Sequence, residues 1–128
     1  MLSHAKRLVS EGAELIACNM DKGNPLPDGS FSLGSYFTVK RVERVVGRAA
    51  FVVGKPYKPI FDITCRRFNL EKDRCLLIGD SLQSDVLGGK NAGIKTALVL
   101  TGFTDASELE SSPIKPDFVL PSLTELLS

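Results

Sequence analysis

The sequence lacks tryptophan, has a single histidine and carries almost no excess charge of either sign. Its 16 Lys and Arg against 15 Asp and Glu leave a formal net charge of +1. Proteins that bind nucleic acids or membrane surfaces usually present a basic face, and none is expected here. No apolar run approaches the roughly 20 residues of a membrane span, and the polar N-terminus is unlike a signal peptide. These absences favour a cytoplasmic protein with no nucleic-acid or membrane partner.

Cysteine is scarce, and no pair of cysteines has the spacing of a redox or metal motif. Cys18, Cys65 and Cys75 stand alone, and their number is odd. This pattern predicts a reduced compartment, with the three thiols serving as small buried apolar side chains. His4 lies on the first predicted helix, far in sequence from the acidic residues discussed below, and is interpreted as a surface residue.

From residue 51 onwards, short apolar runs of strand length alternate with segments of helical spacing. Continuous apolar strands between helices are typical of an α/β protein whose parallel sheet is covered on both faces. Strands are predicted over 51–53, 75–79, 94–100 and 118–120, and helices from Pro59, over 84–92 and from Ser122.

The first part of the chain is harder to interpret from its pattern. Helical spacing is present over 3–11 and 35–46, and a short apolar run over 13–18 predicts a strand. Between them, residues 19–34 are rich in proline and glycine, which predicts a long loop. Loops of that length are usually functional or disordered.

Charged residues follow two of the predicted strands directly. Asp80 ends the run 75–79, Asp85 comes five positions later, and Lys55 follows 51–53. Ligands of open parallel sheets bind beyond the carboxyl ends of the strands. Two close carboxylates need a counter-charge, which Mg²⁺ can supply, and a lysine beside them suits a phosphate group. The pattern indicates phosphoryl transfer. The alternative is that Asp80 lies in a plain turn, that Asp85 is an acid at a helix start and that Lys55 is a surface lysine.

These residues lie in two short motifs, GKP at 54–56 and GDSLQSD at 79–85. They resemble the third and fourth motifs of the haloacid-dehalogenase-like (HAD) phosphatases. The resemblance is strongest to the branch holding phosphoglycolate, pyridoxal-phosphate and 4-nitrophenyl phosphatases and the NagD-like nucleotide phosphatases. It implies that 50–128 form the C-terminal half of a Rossmann-like HAD core, and that 1–49 are the C-terminal part of an α/β cap.

The resemblance also implies roles for individual residues. Lys55 would hold the substrate phosphoryl group, and Asp80 would bind Mg²⁺. Asp85 would support the water shell of the metal and orient Lys55. Asn19 and Asp21 match a cap-loop segment that contacts substrate. The implied substrate is a small phosphate monoester, and many relatives form homodimers.

One part of the family pattern is missing from the sequence. The nucleophile of HAD phosphatases is the first aspartate of a DxD motif, and no two aspartates of this chain are separated by a single residue. We therefore expect a fragment without the nucleophile, inactive or nearly inactive alone. The alternative is a catalytically inactive HAD-like protein that acts as a binding or interaction module. A receiver domain is disfavoured because Lys55 precedes Asp80.

Overall fold

The computed structural model describes residues 2–25, 28 and 30–126, and the chain divides into two units, Met1–Gly54 and Lys55–Ser128. In the first unit, β1 and β4 form a parallel pair and β2 and β3 form an antiparallel hairpin, while α1 contacts α2. The elements of this unit are α1 (Leu2–Ser10), β1 (Ile16–Ala17), β2 (Gly23–Pro25), β3 (Phe31–Leu33), α2 (Ser35–Val46) and β4 (Phe51–Val52).

Helix α2 has the bounds that the sequence predicts, and its end has a clear physical cause. Gly47 adopts a left-handed conformation with φ of 73°, and its N–H donates to the Glu43 carbonyl at 2.8 Å. Glycine reaches this conformation without the steric cost that other residues meet, so it terminates the helix.

The prediction of a featureless loop over 19–34 is wrong, because the hairpin of β2 and β3 lies within it. Each strand is only three residues long. The prediction failed because strands this short leave little apolar pattern, while the glycines and prolines of the segment indicate a loop. Pro27 and Gly29 lie outside the described residues. Cys18 is exposed, so it is not the buried apolar residue that we expected.

The second unit contains a parallel sheet in the order β5-β6-β7. Ile78 of β5 is aligned with Ala97 of β6, and Leu98 of β6 is aligned with Val119 of β7. The elements are α3 (Pro59–Phe68), β5 (Leu76–Gly79), one π-helical turn (Leu82–Val86), α4 (Leu87–Ala92), β6 (Lys95–Val99), α5 (Ala106–Ser111) and β7 (Phe118–Leu120), with 3₁₀ turns at Lys72–Arg74 and Leu123–Leu126.

Two buried apolar clusters stabilise this unit. The first joins α3 to α4 and β5, and the second joins the π-helical turn to β6 and α5. The first cluster comprises Phe61, Cys65, Ala92 and Ile94 with Ile60, Cys75 and Leu77, and the second comprises Leu82, Val86 and Leu98 with Leu100, Leu109 and Ile114. Leu82 and Leu98 are fully buried, so the segment that follows Asp80 is held firmly against the sheet.

The helices of the second unit differ from the prediction in three places. The segment predicted as a helix over 84–92 begins at Leu82 with a π-helical turn. Helix α5 was not predicted, because six residues carry too little apolar periodicity to stand out. The predicted helix from Ser122 is a 3₁₀ turn over Leu123–Leu126. Within the described ranges, no helix is long and apolar enough to cross a membrane.

Candidate active site

The candidate site is built where β5 ends and the chain turns into the π-helical segment. Ser81 remains extended, and its carbonyl accepts hydrogen bonds from Asp85 N at 2.9 Å and from Val86 N at 3.1 Å. The second bond spans five residues, which widens the turn. Such π-helical turns are frequent at functional sites. Here the turn brings the Asp85 side chain back over the end of β5.

Asp85 is buried, with 5 % of its surface exposed, and both of its carboxylate oxygens are bonded. Oδ1 accepts from Lys55 Nζ at 2.5 Å. Oδ2 accepts from the backbone N–H of Asp80 at 3.2 Å and of Ser81 at 3.1 Å. Gly79 leaves room for this arrangement, since a Cβ at that position would lie 2.3 Å from Asp85 Cγ. Asp85 is thus a structural anchor for the strand end and a counter-ion for Lys55.

Lys55 starts a loop that α4 holds in place. The Asn91 side chain donates to the Pro56 carbonyl at 2.9 Å. Gly88 faces the same loop, because a Cβ there would lie 2.9 Å from the Phe61 ring and 3.3 Å from Pro56 Cα. The side chain of Lys55 is 49 % exposed, and its ammonium group contacts Asp85.

Asp80 differs from Asp85 in leaving one carboxylate oxygen available. Its Oδ2 accepts from Phe103 N at 3.0 Å, and its backbone carbonyl accepts from Thr104 N at 3.0 Å. Its Oδ1 receives no hydrogen bond from any residue that the structure describes. The Asp80 side chain is only partly buried. A carboxylate oxygen without a hydrogen-bond donor, on a partly buried side chain, is the kind of ligand atom that Mg²⁺ prefers.

The described residues do not provide a complete metal site on their own. Among them, no group of three or more His, Cys, Asp and Glu side chains is close enough to hold a metal ion. Mg²⁺ is commonly held by one or two carboxylates, with water and phosphate oxygens completing its octahedron. The chemistry of Asp80 therefore fits Mg²⁺ as one ligand of such a site.

Asn19 and Asp21, predicted to contact substrate, lie in the first unit. The Ser35 hydroxyl donates to the carbonyl and to the side-chain oxygen of Asn19, and the Asp21 carbonyl accepts from Tyr36 N at 3.0 Å. Both residues thus hold the start of α2. Their contact with substrate stays a prediction. The structure brings Lys55 and Asp85 into contact, and the roles that the resemblance implies for them also stay predictions.

Sequence reasoning missed the residues that hold the site in place. The backbone N–H of Phe103 and Thr104 carries no sequence signature, and the amide of Asn91 looks like any polar residue on a helix. The available signal was the pair Thr101-Gly102, which follows the predicted strand 94–100 and is typical of an ordinary turn.

A model of the HAD-hydrolase-like family matches residues 52–126, which is more than half of the chain. The chain belongs to this family. The predicted resemblance to HAD phosphatases and the predicted α/β fold class are therefore confirmed. Lys55, Asp80 and Asp85 all lie within residues 52–126, so the candidate site is inside the segment that matches the family.

Individual members of the HAD-like family show the same relationship. Human glycerol-3-phosphate phosphatase is 32 % identical over 136 residues, covering 98 % of this chain and 42 % of that protein. The crystal structure of 4-nitrophenylphosphatase from Thermotoga maritima has a TM-score of 0.83 at 36 % identity, covering 98 % and 48 %. Glycerol phosphate phosphatase from Mycobacterium tuberculosis, solved in complex with magnesium, has a TM-score of 0.80 at 26 % identity, covering 98 % and 38 %. The chain thus spans less than half the length of each of these relatives.

Proposed function

We propose that this chain provides the charge-stabilising part of a magnesium-dependent phosphatase of the HAD type. The observation that carries the proposal is the contact of Lys55 Nζ with Asp85 Oδ1 at 2.5 Å, beside an Asp80 carboxylate with one oxygen free. Near the end of β5, Lys55 thus offers positive charge to phosphate oxygens, and Asp80 offers negative charge to a divalent metal. Both kinds of charge are required to stabilise phosphoryl transfer.

Each residue has a distinct part in the proposed mechanism. Lys55 attracts the phosphoryl oxygens and stabilises the negative charge that they carry in the transition state. Both oxygens of Asp85 accept hydrogen bonds in the structure, so its main task is to hold the Lys55 ammonium group. Support of the metal's water shell would use the second lone pair of Oδ1, which accepts only from Lys55. Asp80 offers its free Oδ1 as a ligand. When bound, Mg²⁺ would polarise the phosphoryl oxygens as a Lewis acid.

The nucleophile is the part of the mechanism that these residues do not supply. The family resemblance implies attack by an aspartate of a DxD motif, which gives an aspartyl-phosphate that water then hydrolyses. The 128 residues contain no two aspartates separated by one residue. We therefore propose that the chain alone hydrolyses phosphate esters slowly or not at all.

The substrate class follows from the named relatives, which include a glycerol-3-phosphate phosphatase and a 4-nitrophenylphosphatase. We propose a small phosphate monoester, of the kind represented by phosphoglycolate, pyridoxal phosphate or 4-nitrophenyl phosphate. Residues 1–49 would belong to the cap, with Asn19 and Asp21 contacting the substrate, and residues 50–128 to the core. The unpaired cysteines favour a reducing, cytoplasmic location.

A second candidate function is a non-catalytic interaction module. The observation that favours it is the exposure of apolar residues on the sheet of the second unit, where Leu76, Ile78, Phe118 and Val119 are 37–50 % exposed. Apolar surface of this kind marks interaction sites in many proteins.

Two measurements on the purified chain distinguish these functions. We expect Mn²⁺, used as a spectroscopic substitute for Mg²⁺, to bind with an affinity that Asp80→Asn reduces strongly. We expect little hydrolysis of 4-nitrophenyl phosphate with either Mg²⁺ or EDTA. Magnesium-dependent turnover that Asp80→Asn abolishes would support the phosphatase proposal and overturn the expected inactivity. Absence of both Asp80-dependent metal binding and turnover would overturn the phosphatase proposal and favour the interaction module.

A further inference from the structure

The turn of residues 101–104, which follows β6, makes three hydrogen bonds to the segment that carries Asp80. Phe103 N donates to Asp80 Oδ2 at 3.0 Å, and Thr104 N donates to the Asp80 carbonyl at 3.0 Å. The Thr104 hydroxyl accepts from Leu82 N at 3.3 Å. Thr104 is fully buried, so this turn is fixed against the start of the π-helical segment. The end of one strand is thereby tied to the carboxylate at the end of its neighbour.

Gly102 makes this close approach possible. A Cβ at Gly102 would lie 2.1 Å from Asp80 Oδ2 and 2.4 Å from Asp80 Cβ. The backbone of Gly102 is outside the left-handed region, so its conformation does not require glycine. Rotation of the Asp80 side chain would move Oδ2 away but would leave Asp80 Cβ in place. Any larger residue at 102 would therefore push the turn and the carboxylate apart.

The two carboxylate oxygens of Asp80 differ in their hydrogen bonding. Oδ2 is held by the Phe103 amide, whereas Oδ1 receives no hydrogen bond from the described part of the chain. A carboxylate that is held by one oxygen presents the other in a fixed direction. A ligand held in this way loses less conformational freedom when it binds a metal.

We propose that Gly102 and the backbone N–H of Phe103 are positioning elements, which orient Asp80 Oδ1 towards a divalent cation. This inference rests on the proposed function, because it assigns a purpose to the orientation of Asp80. The turn acts through Asp80 and not on the substrate. Its effect should therefore appear in metal affinity even where the chain alone has no turnover.

The experiment compares Mn²⁺ binding, measured by electron paramagnetic resonance, in the wild-type chain and in two variants of the turn. Gly102→Ala displaces the carboxylate and should weaken Mn²⁺ binding by about 10- to 100-fold, the usual effect of removing a group that orients a metal ligand. Phe103→Ala keeps the backbone N–H and should bind as the wild type does. Circular dichroism and urea unfolding establish that both variants are folded.

The outcomes separate this inference from the proposed function. If the wild type shows no Mn²⁺ binding that depends on Asp80, the proposed function fails and the inference fails with it. If the wild type binds but folded Gly102→Ala binds equally well, only the inference fails. Equal weakening in Phe103→Ala would also overturn it, because the side chain would then carry the effect.

A second measurement serves if Gly102→Ala does not fold. Hydrogen exchange of the Phe103 amide in the metal-free chain reports its bond to Asp80 directly. Asp80→Ala removes the acceptor and should accelerate this exchange about tenfold, while the Thr104 amide, which donates to the Asp80 carbonyl, should change much less. Unchanged exchange at Phe103 would overturn the inference.

Discussion

Asp85 accepts three hydrogen bonds while almost wholly buried, one from a flexible side chain and two from the backbone. The side chain of Lys55 is half exposed, so its ammonium group can turn into solvent if the carboxylate is removed. The backbone N–H groups of Asp80 and Ser81 cannot turn away in this manner, because the end of β5 and the π-helical turn fix them. An unsatisfied buried donor is costly, so these amides account for most of the stability that Asp85 contributes.

We predict that Asp85→Ala lowers the free energy of unfolding by about 3 kcal/mol, since it leaves two part-buried backbone N–H groups without an acceptor and removes an ion pair whose carboxylate is buried. Urea unfolding followed by circular dichroism measures this loss. Asp80→Ala is the matched control, because Asp80 is only partly buried and its side chain accepts a single hydrogen bond. A loss in Asp85→Ala no larger than that in Asp80→Ala would contradict the anchoring role.

At the scale of the elements, the strands of the second unit and the two longer helices are the part that the sequence predicted well. The ends of α2 and the start of α3 agree with the prediction because Gly47 and Pro59 are strong local signals. The strand 118–120 is predicted without error, since an apolar triplet between prolines has few alternatives.

The elements that sequence reasoning missed are those whose stability comes from a few specific bonds. Helix α5 begins at Asp105, whose side chain accepts from Glu108 N at 2.8 Å. An Asp followed three residues later by Glu is a recognisable start signal, but six residues show no apolar stripe to support it. The same reason applies to the site. Lys55 and Asp85 can be recognised in the sequence by their residue type, whereas the part of the Phe103 backbone N–H depends on a tertiary contact alone.

Strands β6 and β7 are joined by a side-chain contact as well as by their backbone pairing. Asp117 Oδ2 accepts from Thr96 N at 2.8 Å and from the Thr96 hydroxyl at 2.9 Å. These bonds, the backbone one foremost, hold the pKa of Asp117 below its ordinary value. A carboxylate with a lowered pKa stabilises the folded state at pH values above its unfolded pKa of about 3.9.

We therefore predict that Asp117→Asn is less stable than the wild type above about pH 5, and that the difference shrinks as the pH falls below 4. The sign follows because protonation of the folded carboxylate removes the charge that the Thr96 donors stabilise. Urea unfolding across this pH range measures the difference. Glu110→Gln, at an exposed position of α5, is the control and should show no such convergence. A constant difference at all pH values would contradict the role of the ionised group.

At the scale of the whole molecule, the two units have separate sheets, and the sheet of the second unit has an apolar edge. Strand β5 ends the order β5-β6-β7, and its side chains Leu76 and Ile78 are 45 % and 37 % exposed. Leu77, between them, packs against the cluster of Phe61. Edge strands with exposed apolar residues promote association with other chains.

We predict that the chain self-associates through the β5 edge and that Ile78→Thr weakens this association about tenfold, the effect of removing roughly 1.4 kcal/mol of apolar burial from an interface. Sedimentation velocity over a series of protein concentrations measures the change. Leu8→Thr is a matched control, because Leu8 is 40 % exposed and lies on α1, which belongs to the first unit and not to this sheet. Equal weakening by both substitutions would show that association is not specific to the β5 edge.

The pairing of Lys55 with Asp85 has a consequence for the order in which ligands can arrive. The two charges cancel, so these three residues together leave the negative charge of Asp80. A phosphate dianion approaching first meets like charge, whereas a divalent cation is attracted and leaves the site positive once it binds. Under the proposed function, the metal would therefore bind first and the phosphate ester second. In the absence of the metal, the negative charge of Asp80 would repel other anions in the same manner.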